Sequence, residues 1–293
     1  MQKQTFHRPE ELKKVLQLAV GRQLTLSRPL VMGILNVTPD SFSDGGRFTT
    51  VEAAVERALQ MEQSGADIID VGGESTRPGA KPVEQEKELK RVIPVINRLR
   101  DLTTIPISID TYKASVAEAA LDAGADMVND ISGLRFDTRM LRLVADRRVV
   151  VVIMHMQGTP REMQADPHYE DCVREISEFF RRRIAICIKQ GIDKSKIIID
   201  PGLGFGKRLS DNLDILNHFE EFSQLGVPVM VAASRKSFIG MLHDADKEAD
   251  LRLGGSLSAA IVGVMKGAAV VRTHDVAETV EALKVLQAVK ESK

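Results

Sequence analysis

Eight short apolar runs, distributed along most of the chain, constrain its fold more than any other feature of the sequence. Each run ends in a polar residue, or in a glycine turn that leads directly to polar groups. A continuous apolar run is typical of a parallel strand that is buried on both faces. In chain order, the runs span residues 31–35, 68–71, 105–109, 127–128, 149–154, 197–199, 229–233 and 268–271.

Stretches with apolar residues at helical spacing follow these runs, so strand and helix alternate along the chain. Eight repeats of this alternation predict an α/β fold with a parallel sheet, and they favour closure into a single (β/α)8 TIM barrel over an open sheet. The chemistry of such barrels takes place at the C-terminal ends of the strands, so the polar run ends predict where a site lies. The helical stretches span residues 51–59, 89–99, 116–121, 141–144, 173–187, 212–222, 255–265 and 276–289.

The length of 293 residues suits one such barrel with an extension. The sequence contains no run of proline, glycine or serine long enough to be an interdomain linker. We therefore predict a catalytic barrel at residues 30–293 and, before it, an N-terminal extension at residues 1–29 that closes the bottom of the barrel. Within this extension, residues 5–7 and 23–26 are able to pair as a small β-hairpin.

Composition argues against several classes of function. Forty basic and 41 acidic residues give a net charge of −1, so the chain lacks the basic surface expected of a nucleic-acid-binding protein. The longest apolar run is far shorter than a membrane span, and the polar first residues do not resemble a signal peptide. The two cysteines, Cys172 and Cys187, lie too far apart along one predicted helix to form a disulfide, which is typical of a reducing compartment. We therefore expect a cytoplasmic protein.

Two loops, at residues 36–46 and 72–79, are rich in turn-forming residues and hydroxyl groups. Such a composition fits plain surface turns, and it equally fits a lid that closes over a substrate. Both loops follow predicted barrel strands, on the side of the barrel where chemistry occurs, and this position favours the lid.

Four basic side chains follow the last two runs. Residues 234–237 contain Arg235 and Lys236 at the predicted start of a helix, where backbone N–H groups favour an anion. Arg272 and His274 are alternate residues after the eighth run, so their side chains share a face. Each cation alone could be a solvated surface charge. Together they predict an anion site, because barrels often hold phosphate in the loops after strands seven and eight.

Asp110, Asn129 and Asp200 end the third, fourth and sixth runs. Each one alone could be the N-cap of the next helix. Together they would line the barrel mouth with acceptors, which suits a donor-rich heterocycle such as the edge of an amino-pyrimidinone, and Lys236 would supply the complementary donor. His155, which follows the fifth run, is more typical of a packed polar residue than of a catalyst.

The glycine-rich segment at residues 200–207 resembles a phosphate loop but departs from the Walker pattern. Its glycines predict either a close approach of the backbone to a flat ligand or a bend without ligand contact. Zinc-type patterns of histidine or cysteine are absent from the sequence. A hard cation held by Asn36 and by substrate oxygens is the more natural metal site.

Several of these segments closely resemble the dihydropteroate synthase family of folate biosynthesis. The resemblance runs from about residue 30 to the C-terminus, and its first two segments are long and highly specific. The matching segments are residues 32–46, 69–80, 107–111, 129–130, 154–158, 200–207, 234–237 and 272–275.

The resemblance assigns each strand-end residue an expected ligand. The residues expected to contact the pterin ring are Asp110, Asn129, Asp200, Phe205 and Lys236. Those expected near the substrate pyrophosphate are Asn36, Thr76, Arg77, Arg272 and His274. Those expected near p-aminobenzoate are Thr76, Arg77, Pro78 and Ser234. The resemblance further implies that Asn36 helps to place Mg²⁺, and that the catalytic residues are Asn36, Asp110, Lys236, Arg272 and His274.

The implied reaction condenses 6-hydroxymethyl-7,8-dihydropterin pyrophosphate with p-aminobenzoate, giving 7,8-dihydropteroate and pyrophosphate. The family is a sulfonamide target, and the resemblance also implies a homodimer formed through the barrel helices near the C-terminus. A pterin-dependent methyltransferase would share the Asp and Asn strand ends, but it would not need the anion cluster or the first two loops. A non-catalytic pterin-binding barrel is the remaining alternative.

Overall fold

The predicted strand–helix alternation forms a barrel. The computed structural model describes residues 15–18, 22–38, 50–77, 79–243 and 248–292. Within these ranges, eight parallel strands form a nearly closed barrel surrounded by helices, which confirms the predicted architecture, and each of the eight apolar runs coincides with one barrel strand. The hairpin strands are β1 (Val15–Gln17) and β2 (Gln23–Thr25), and the barrel strands are β3 (Leu30–Asn36), β4 (Ile68–Gly72), β5 (Ile107–Asp110), β6 (Met127–Asp130), β7 (Val150–Met154), β8 (Ile197–Asp200), β9 (Met230–Val231) and β10 (Val270–Thr273).

Parallel pairing runs around the barrel in the order β8, β7, β6, β5, β4, β3, β10, β9. The seam between β8 and β9 is narrow. A parallel bridge joins Ile199 to Val229, and the Ile199 N–H donates to the Pro228 carbonyl oxygen at 3.0 Å. These contacts bring the last strands of the ladder together, so all eight strand ends surround one mouth.

Helices cover the outside of the barrel. All eight predicted helical stretches are helical, but the stretch at residues 212–222 is divided. His218 leaves the helical conformation, with φ −120° and ψ 29°, and this ends the first part. The helices are α1 (Thr50–Gln63), α2 (Gln85–Leu102), α3 (Ala114–Asp122), α4 (Thr138–Arg147), α5 (Cys172–Lys189), α6 (Leu209–Asn217), α7 (Glu220–Ser223), α8 (Ser237–Gly240), α9 (Leu253–Met265) and α10 (Val276–Glu291).

Both faces of the barrel strands are apolar, which explains the continuous runs in the sequence. Alternate strand residues pack outward against the helices, as Val31, Val71 and Ile153 do. The intervening residues fill the lower barrel interior. This inner cluster consists of Met32, Ile68, Met127, Val150, Val152, Ile198, Met230 and Val270, together with Leu16, Leu18, Leu26 and Leu30.

The N-terminal hairpin is present, but its first strand differs from the prediction. β2 lies within the predicted second strand and pairs with β1, where Leu16 stands opposite Leu24. This pairing places Leu16 and Leu18 in the inner cluster of the barrel, which gives them an apolar partner. Residues 5–7 lie outside the described residues, and the boundary at residues 29 and 30 stays a prediction.

Two sequence-based expectations about the environment of the chain are addressed by the described residues. Both cysteines are free and buried. Of the helices described, none is long and apolar enough to cross a membrane.

Candidate functional site

Strand register places the predicted polar residues at one level of the barrel mouth. Asn36 pairs with Gly72, Gly72 pairs with Asp110, and Asp110 pairs with Asn129 on four consecutive strands. Further round, Asp200 pairs with Met154. Asn36, Asn129 and Asp200 follow an inward-facing apolar residue of their strand by an even number of positions, and Asp110 follows the buried Ser108 by two, so all four side chains point into the barrel.

Arg272 joins one carboxylate at this level to another one layer below. Its Nε donates to Oδ2 of Asp70 at 2.6 Å, and its Nη2 donates to Oδ2 of Asp110, also at 2.6 Å. The same Asp70 oxygen accepts a hydrogen bond from Nδ2 of Asn129 at 2.9 Å. Asp110 and Asn129, which are expected to hold the pterin, are therefore connected to Arg272, which is expected to contact pyrophosphate.

Asp70 is a site residue that the sequence reasoning missed. It is fully buried and pairs in register with Ser108, one layer below Gly72. The signal was present, since Asp70 is the one charged residue inside the second apolar run. A carboxylate inside a buried strand requires a partner, and that partner here is Arg272.

Burial dominates the electrostatics of this cluster. It raises the pKa of Asp110 to about 7, although the Arg272 guanidinium opposes the rise and the nearby Asp70 adds to it. Burial alone would lower the pKa of Arg272, but Asp70 and Asp110 hold that pKa above its ordinary value. The guanidinium is therefore a permanent positive charge at the mouth, while Asp110 is poised to change its charge when a ligand alters its surroundings.

Asp200 and Lys236 form the opposite wall. One Asp200 oxygen accepts from the Gly202 N–H at 2.8 Å, and burial raises the pKa of this carboxyl group. Nζ of Lys236 lies 3.9 Å from the centroid of the Phe205 ring, in cation–π contact. Burial, and next the Arg272 charge, lower the pKa of Lys236 to about 8.

The glycine-rich segment after β8 bends sharply beside the loop after β7. Gly202 has φ +71°, and a Cβ atom there would lie 2.0 Å from the carbonyl oxygen of His155. Residue 202 must therefore be glycine, because the backbone of a neighbouring loop leaves no room for a side chain. Neither explanation of the segment from its sequence included this contact.

The anion cluster is only partly available to a ligand. Arg235 pairs with Asp275 through Nη2 at 2.6 Å and with Asp250 through Nη1 at 2.6 Å, so protein carboxylates satisfy its charge. Burial, and then the Arg272 charge, lower the pKa of His274 to about 3, so this imidazole is neutral. Lys236 and Arg272 remain the cations of the mouth.

Ser234 and His274 are linked reciprocally. The Ser234 Oγ accepts the backbone N–H of His274 at 3.1 Å and lies 2.9 Å from Nδ1 of the same residue. A hydroxyl oxygen has two acceptor lone pairs and one proton, so it is able either to donate to Nδ1 or to accept from it. When the hydroxyl donates to Nδ1, the proton of the neutral ring resides on Nε2, and that atom is a hydrogen-bond donor.

The second loop is held at both ends. Oε1 of Glu74 accepts from the Tyr112 hydroxyl at 2.7 Å, and Lys113 pairs with the other carboxylate oxygen. The Gly79 N–H donates to the Pro160 carbonyl oxygen at 3.3 Å. Between these points Thr76 is half-buried and Arg77 is exposed. Pro78, and the first loop from residue 39 to residue 49, lie outside the described residues.

The described part of the chain contains no cluster of three or more His, Cys, Asp or Glu side chains able to hold a metal. Asn36 stands close to Asp110 across Gly72. A Cβ atom on that glycine would lie 3.9 Å from Oδ1 of Asn36 and 3.7 Å from Oδ2 of Asp110. Oxygen donors of this kind suit a hard cation whose other ligands are water and substrate.

Comparisons with known proteins point to one family. The sequence profile of the pterin binding enzymes matches residues 32–274. The dihydropteroate synthase of Escherichia coli K12 is 46% identical over 275 residues, which cover 94% of this chain and 96% of that protein. The dihydropteroate synthase of Xanthomonas albilineans with 4-aminobenzoic acid superposes with a TM-score of 0.90 and 50% identity, covering 96% and 100% of the two chains. The same enzyme in complex with 7,8-dihydropteroate superposes with a TM-score of 0.86 and 47% identity, covering 95% and 100%.

Proposed function

This chain belongs to the pterin binding enzymes and, among them, to the dihydropteroate synthases, and from that premise we propose how its barrel mouth divides the reaction. The enzyme is a transferase that joins 6-hydroxymethyl-7,8-dihydropterin pyrophosphate to p-aminobenzoate and releases pyrophosphate. The bond from the pterin methylene carbon to the pyrophosphate breaks, and the aniline nitrogen takes its place. Residues at the ends of β5, β6, β8 and β9 hold the heterocycle, and residues at the ends of β3, β4 and β10 hold the leaving group.

The pterin is bound by Asp110, Asn129, Asp200 and Lys236, with the Phe205 ring beside it. The amino-pyrimidinone edge of a pterin carries adjacent N–H donors, which match the two oxygens of one carboxylate. Asp200 suits this role because its carboxyl group is buried, and this burial raises its pKa, so the N–H donors of a bound pterin replace hydrogen bonds that water does not supply. Lys236 supplies a donor to the acceptor atoms of the ring.

The pyrophosphate lies against Asn36, Thr76, Arg77, Arg272 and His274. Arg272 has a lasting charge, and two carboxylates fix its orientation. His274 contributes a hydrogen bond from Nε2 rather than a charge, since its pKa of about 3 keeps the ring neutral. Preorganised donors of this kind stabilise the negative charge that develops on a leaving group.

Asn36 is the proposed protein ligand of Mg²⁺, with the remaining positions taken by pyrophosphate oxygens and water. When bound, Mg²⁺ supplies Lewis-acid stabilisation of the leaving pyrophosphate. The p-aminobenzoate pocket is formed by Thr76, Arg77, Pro78 and Ser234. The amine of p-aminobenzoate is a usable nucleophile at neutral pH. Its attack on the pterin methylene carbon therefore depends mainly on how the site positions the two substrates.

The observation that carries this assignment is the buried junction of Arg272 with Asp70, Asp110 and Asn129, because it binds the pterin side to the pyrophosphate side in one rigid unit. The methyltransferase alternative is not favoured, since the curated relatives and the solved neighbours are dihydropteroate synthases. A methyltransferase also has no use for a site that accepts pyrophosphate.

Purified protein is expected to release pyrophosphate from dihydropterin pyrophosphate at a rate that depends on p-aminobenzoate and Mg²⁺. A coupled pyrophosphate assay, run with and without the amine and with EDTA, measures this directly. Equal release with and without the amine would indicate a hydrolase. No release under any condition would leave only the non-catalytic pterin-binding barrel.

We further propose a homodimer that forms through α9 and α10. These adjacent helices expose Val262 and Met265 on α9, and Val285 and Val289 on α10, the last two being 61% and 65% exposed. Exposed apolar groups on neighbouring elements are typical of an interface.

The two buried, free cysteines support a reducing, cytoplasmic location. Residues 1–29 are proposed as an extension that closes the barrel bottom.

Val289→Lys is expected to convert the dimer to a monomer, because it places a charge in the proposed apolar interface. Light scattering after gel filtration should give twice the chain mass of 32.3 kDa for the parent and the single mass for the variant. Ile188→Lys on α5, where the side chain is 46% exposed, is the matched control and should remain dimeric. A parent protein that elutes as a monomer at micromolar concentration would refute the proposal.

A further inference from the structure

A lysine that the reaction does not use is buried beneath the pterin wall. Lys207 is only 3% exposed, and its Nζ is surrounded by acceptors. It lies 3.0 Å from the carbonyl oxygen of Phe205, 3.1 Å from Nδ1 of His155 and 3.4 Å from the carbonyl oxygen of His155. An ammonium group has three N–H donors and no acceptor, so the three contacts match the charged form.

This arrangement also defines the state of His155. Burial, followed by the Lys207 charge, holds the pKa of His155 well below its ordinary value, so the ring is neutral. A neutral imidazole has one donor nitrogen and one acceptor nitrogen. Because the ammonium donates to Nδ1, the ring proton belongs on Nε2. His155 is then an acceptor for a buried cation, which gives a role to the one polar strand ending that had none.

The two residues connect to the pterin wall through the backbone. The Lys207 ammonium holds the carbonyl of Phe205, and the ring of that residue lies beneath Nζ of Lys236. The His155 N–H donates to the carbonyl oxygen of Asp200 at 2.9 Å. These two residues therefore contact both ends of the segment from Asp200 to Phe205. The backbone of His155 holds the Asp200 end, and the Lys207 ammonium, which His155 Nδ1 accepts, holds the Phe205 end.

The electrostatic surroundings of Lys207 link its charge to the conformation of the two loops that it contacts. Burial lowers the pKa of Lys207 to about 7, while Asp200 and Asp211 oppose that effect and Lys236 adds to it. No carboxylate in the described residues forms an ion pair with Lys207 within 4.0 Å. Its compensation comes from carbonyl and imidazole acceptors, which are arranged by the two loops it joins.

We propose that His155 and Lys207 are a positioning pair for the pterin site, in which the ammonium, accepted by Nδ1 of His155, holds the backbone between Asp200 and Phe205 in its ligand-binding conformation. This inference rests on the proposed function, because it takes Asp200, Phe205 and Lys236 as the pterin wall. Neither member of the pair touches the reacting atoms.

Two substitutions of His155 separate positioning from mere packing. His155→Gln retains an acceptor oxygen, whereas His155→Leu has a similar size and no acceptor. We expect His155→Leu and Lys207→Met to weaken pterin binding by about tenfold or more, as loss of one hydrogen bond to a charged group does. His155→Gln should remain within about threefold of the parent, and so should the KM for p-aminobenzoate of every variant at saturating pterin substrate.

The double variant His155→Leu, Lys207→Met keeps the test decisive if a single variant unfolds. Removing both partners restores part of the stability, because neither an ammonium nor an imidazole remains buried without its partner, although the carbonyl oxygens of Phe205 and His155 lose their donor. We expect the double variant to fold and still to bind pterin poorly, since nothing then holds the Phe205 carbonyl. Recovery of both stability and pterin affinity would show that the pair is only structural and would overturn the inference.

Nitrogen NMR of the six histidines tests the pair without any ligand. With His155→Gln used to identify the resonances, Nδ1 should show the shift of an unprotonated acceptor and Nε2 that of a protonated nitrogen at pH 6. A proton on Nδ1 would overturn the inference whatever the enzyme binds.

Asp200→Ala completes the set of variants, because it tests the proposed function separately from this inference. If it loses pterin binding while His155→Leu and Lys207→Met do not, the proposed function stands and this inference fails. If Asp200→Ala also binds normally, the proposed function fails.

Discussion

Asp200→Ala is expected to weaken pterin binding by about 100-fold, which corresponds to roughly 3 kcal/mol and is the effect of losing a charge-assisted, bidentate contact. The carboxylate lies at the end of β8, buried, with one oxygen already held by the Gly202 N–H at 2.8 Å. Its orientation is therefore set before the ligand arrives, and no reorganisation offsets the contact. Calorimetric titration with a pterin that lacks the pyrophosphate isolates this interaction from the leaving-group side.

Asp146→Ala provides the matched control. Its carboxylate lies on α4, is 66% exposed and forms only a surface ion pair with Arg142, so its removal should leave pterin affinity unchanged. Circular dichroism of both variants checks that the barrel is intact. A nearly normal pterin titration by folded Asp200→Ala would remove the basis for placing the heterocycle at this wall.

The strands and the barrel mouth could be predicted because their signals are local. A strand buried on two faces is continuously apolar, and its first polar residue marks where it meets the mouth. Asn36, Asp110, Asn129 and Asp200 all follow this rule, and they occupy strand ends in the barrel. Strand pairing did not have to be known in advance, because eight parallel strands in one barrel bring their ends together.

Asp70 could not be predicted in the same way, because its role depends on a residue 202 positions away. In the sequence it is a single charge among apolar neighbours, and nothing local identifies Arg272 as its partner. Arg235 shows the opposite error. Its position beside Lys236 suggested a ligand-binding cation, but its backbone, with φ +58°, directs the side chain to Asp275 and Asp250.

The contacts of the glycine-rich segment were also beyond sequence reasoning. Spacing alone predicts a bend or a ligand contact, but the nearest neighbour of Gly202 is the backbone of His155 on another loop. The hairpin shows the same limit. Residues 5–7 looked able to pair with β2. Leu16 and Leu18, however, pack into the apolar barrel interior, and this burial favours β1 as the partner of β2.

Arg272→Met is expected to destabilise the fold by about 3–5 kcal/mol in addition to abolishing turnover, because it leaves buried carboxylates without their cation. The guanidinium is the partner of both Asp70 and Asp110, and Asp70 has no exposure to water. Urea denaturation monitored by circular dichroism measures the loss. Arg142→Met breaks an ion pair whose arginine is 81% exposed and should cost no more than about 1 kcal/mol, as surface pairs do.

The deficit of Arg272→Met should grow as the pH rises, and this dependence separates lost charge pairing from lost packing. With Arg272 present, burial already raises the pKa of Asp110 to about 7, and the guanidinium is the main factor opposing that rise. Without it, the folded-state pKa lies higher still, whereas the unfolded carboxyl titrates near its ordinary value of about 4. Between these values the folded state binds more protons than the unfolded state, so stability falls as the pH increases. The parent shares this fall up to its folded-state pKa of about 7, so the deficit of the variant grows above that pH. At pH 5 Asp110 is protonated in the folded state of both proteins, so the deficit is smaller. At pH 8 the folded variant must either bury a carboxylate without its cation or bind a proton at a cost in free energy, so the deficit is larger. A deficit that is the same at both pH values would mean that the contact of Arg272 with Asp110 contributes nothing to stability, and that packing or the pair with Asp70 accounts for the loss.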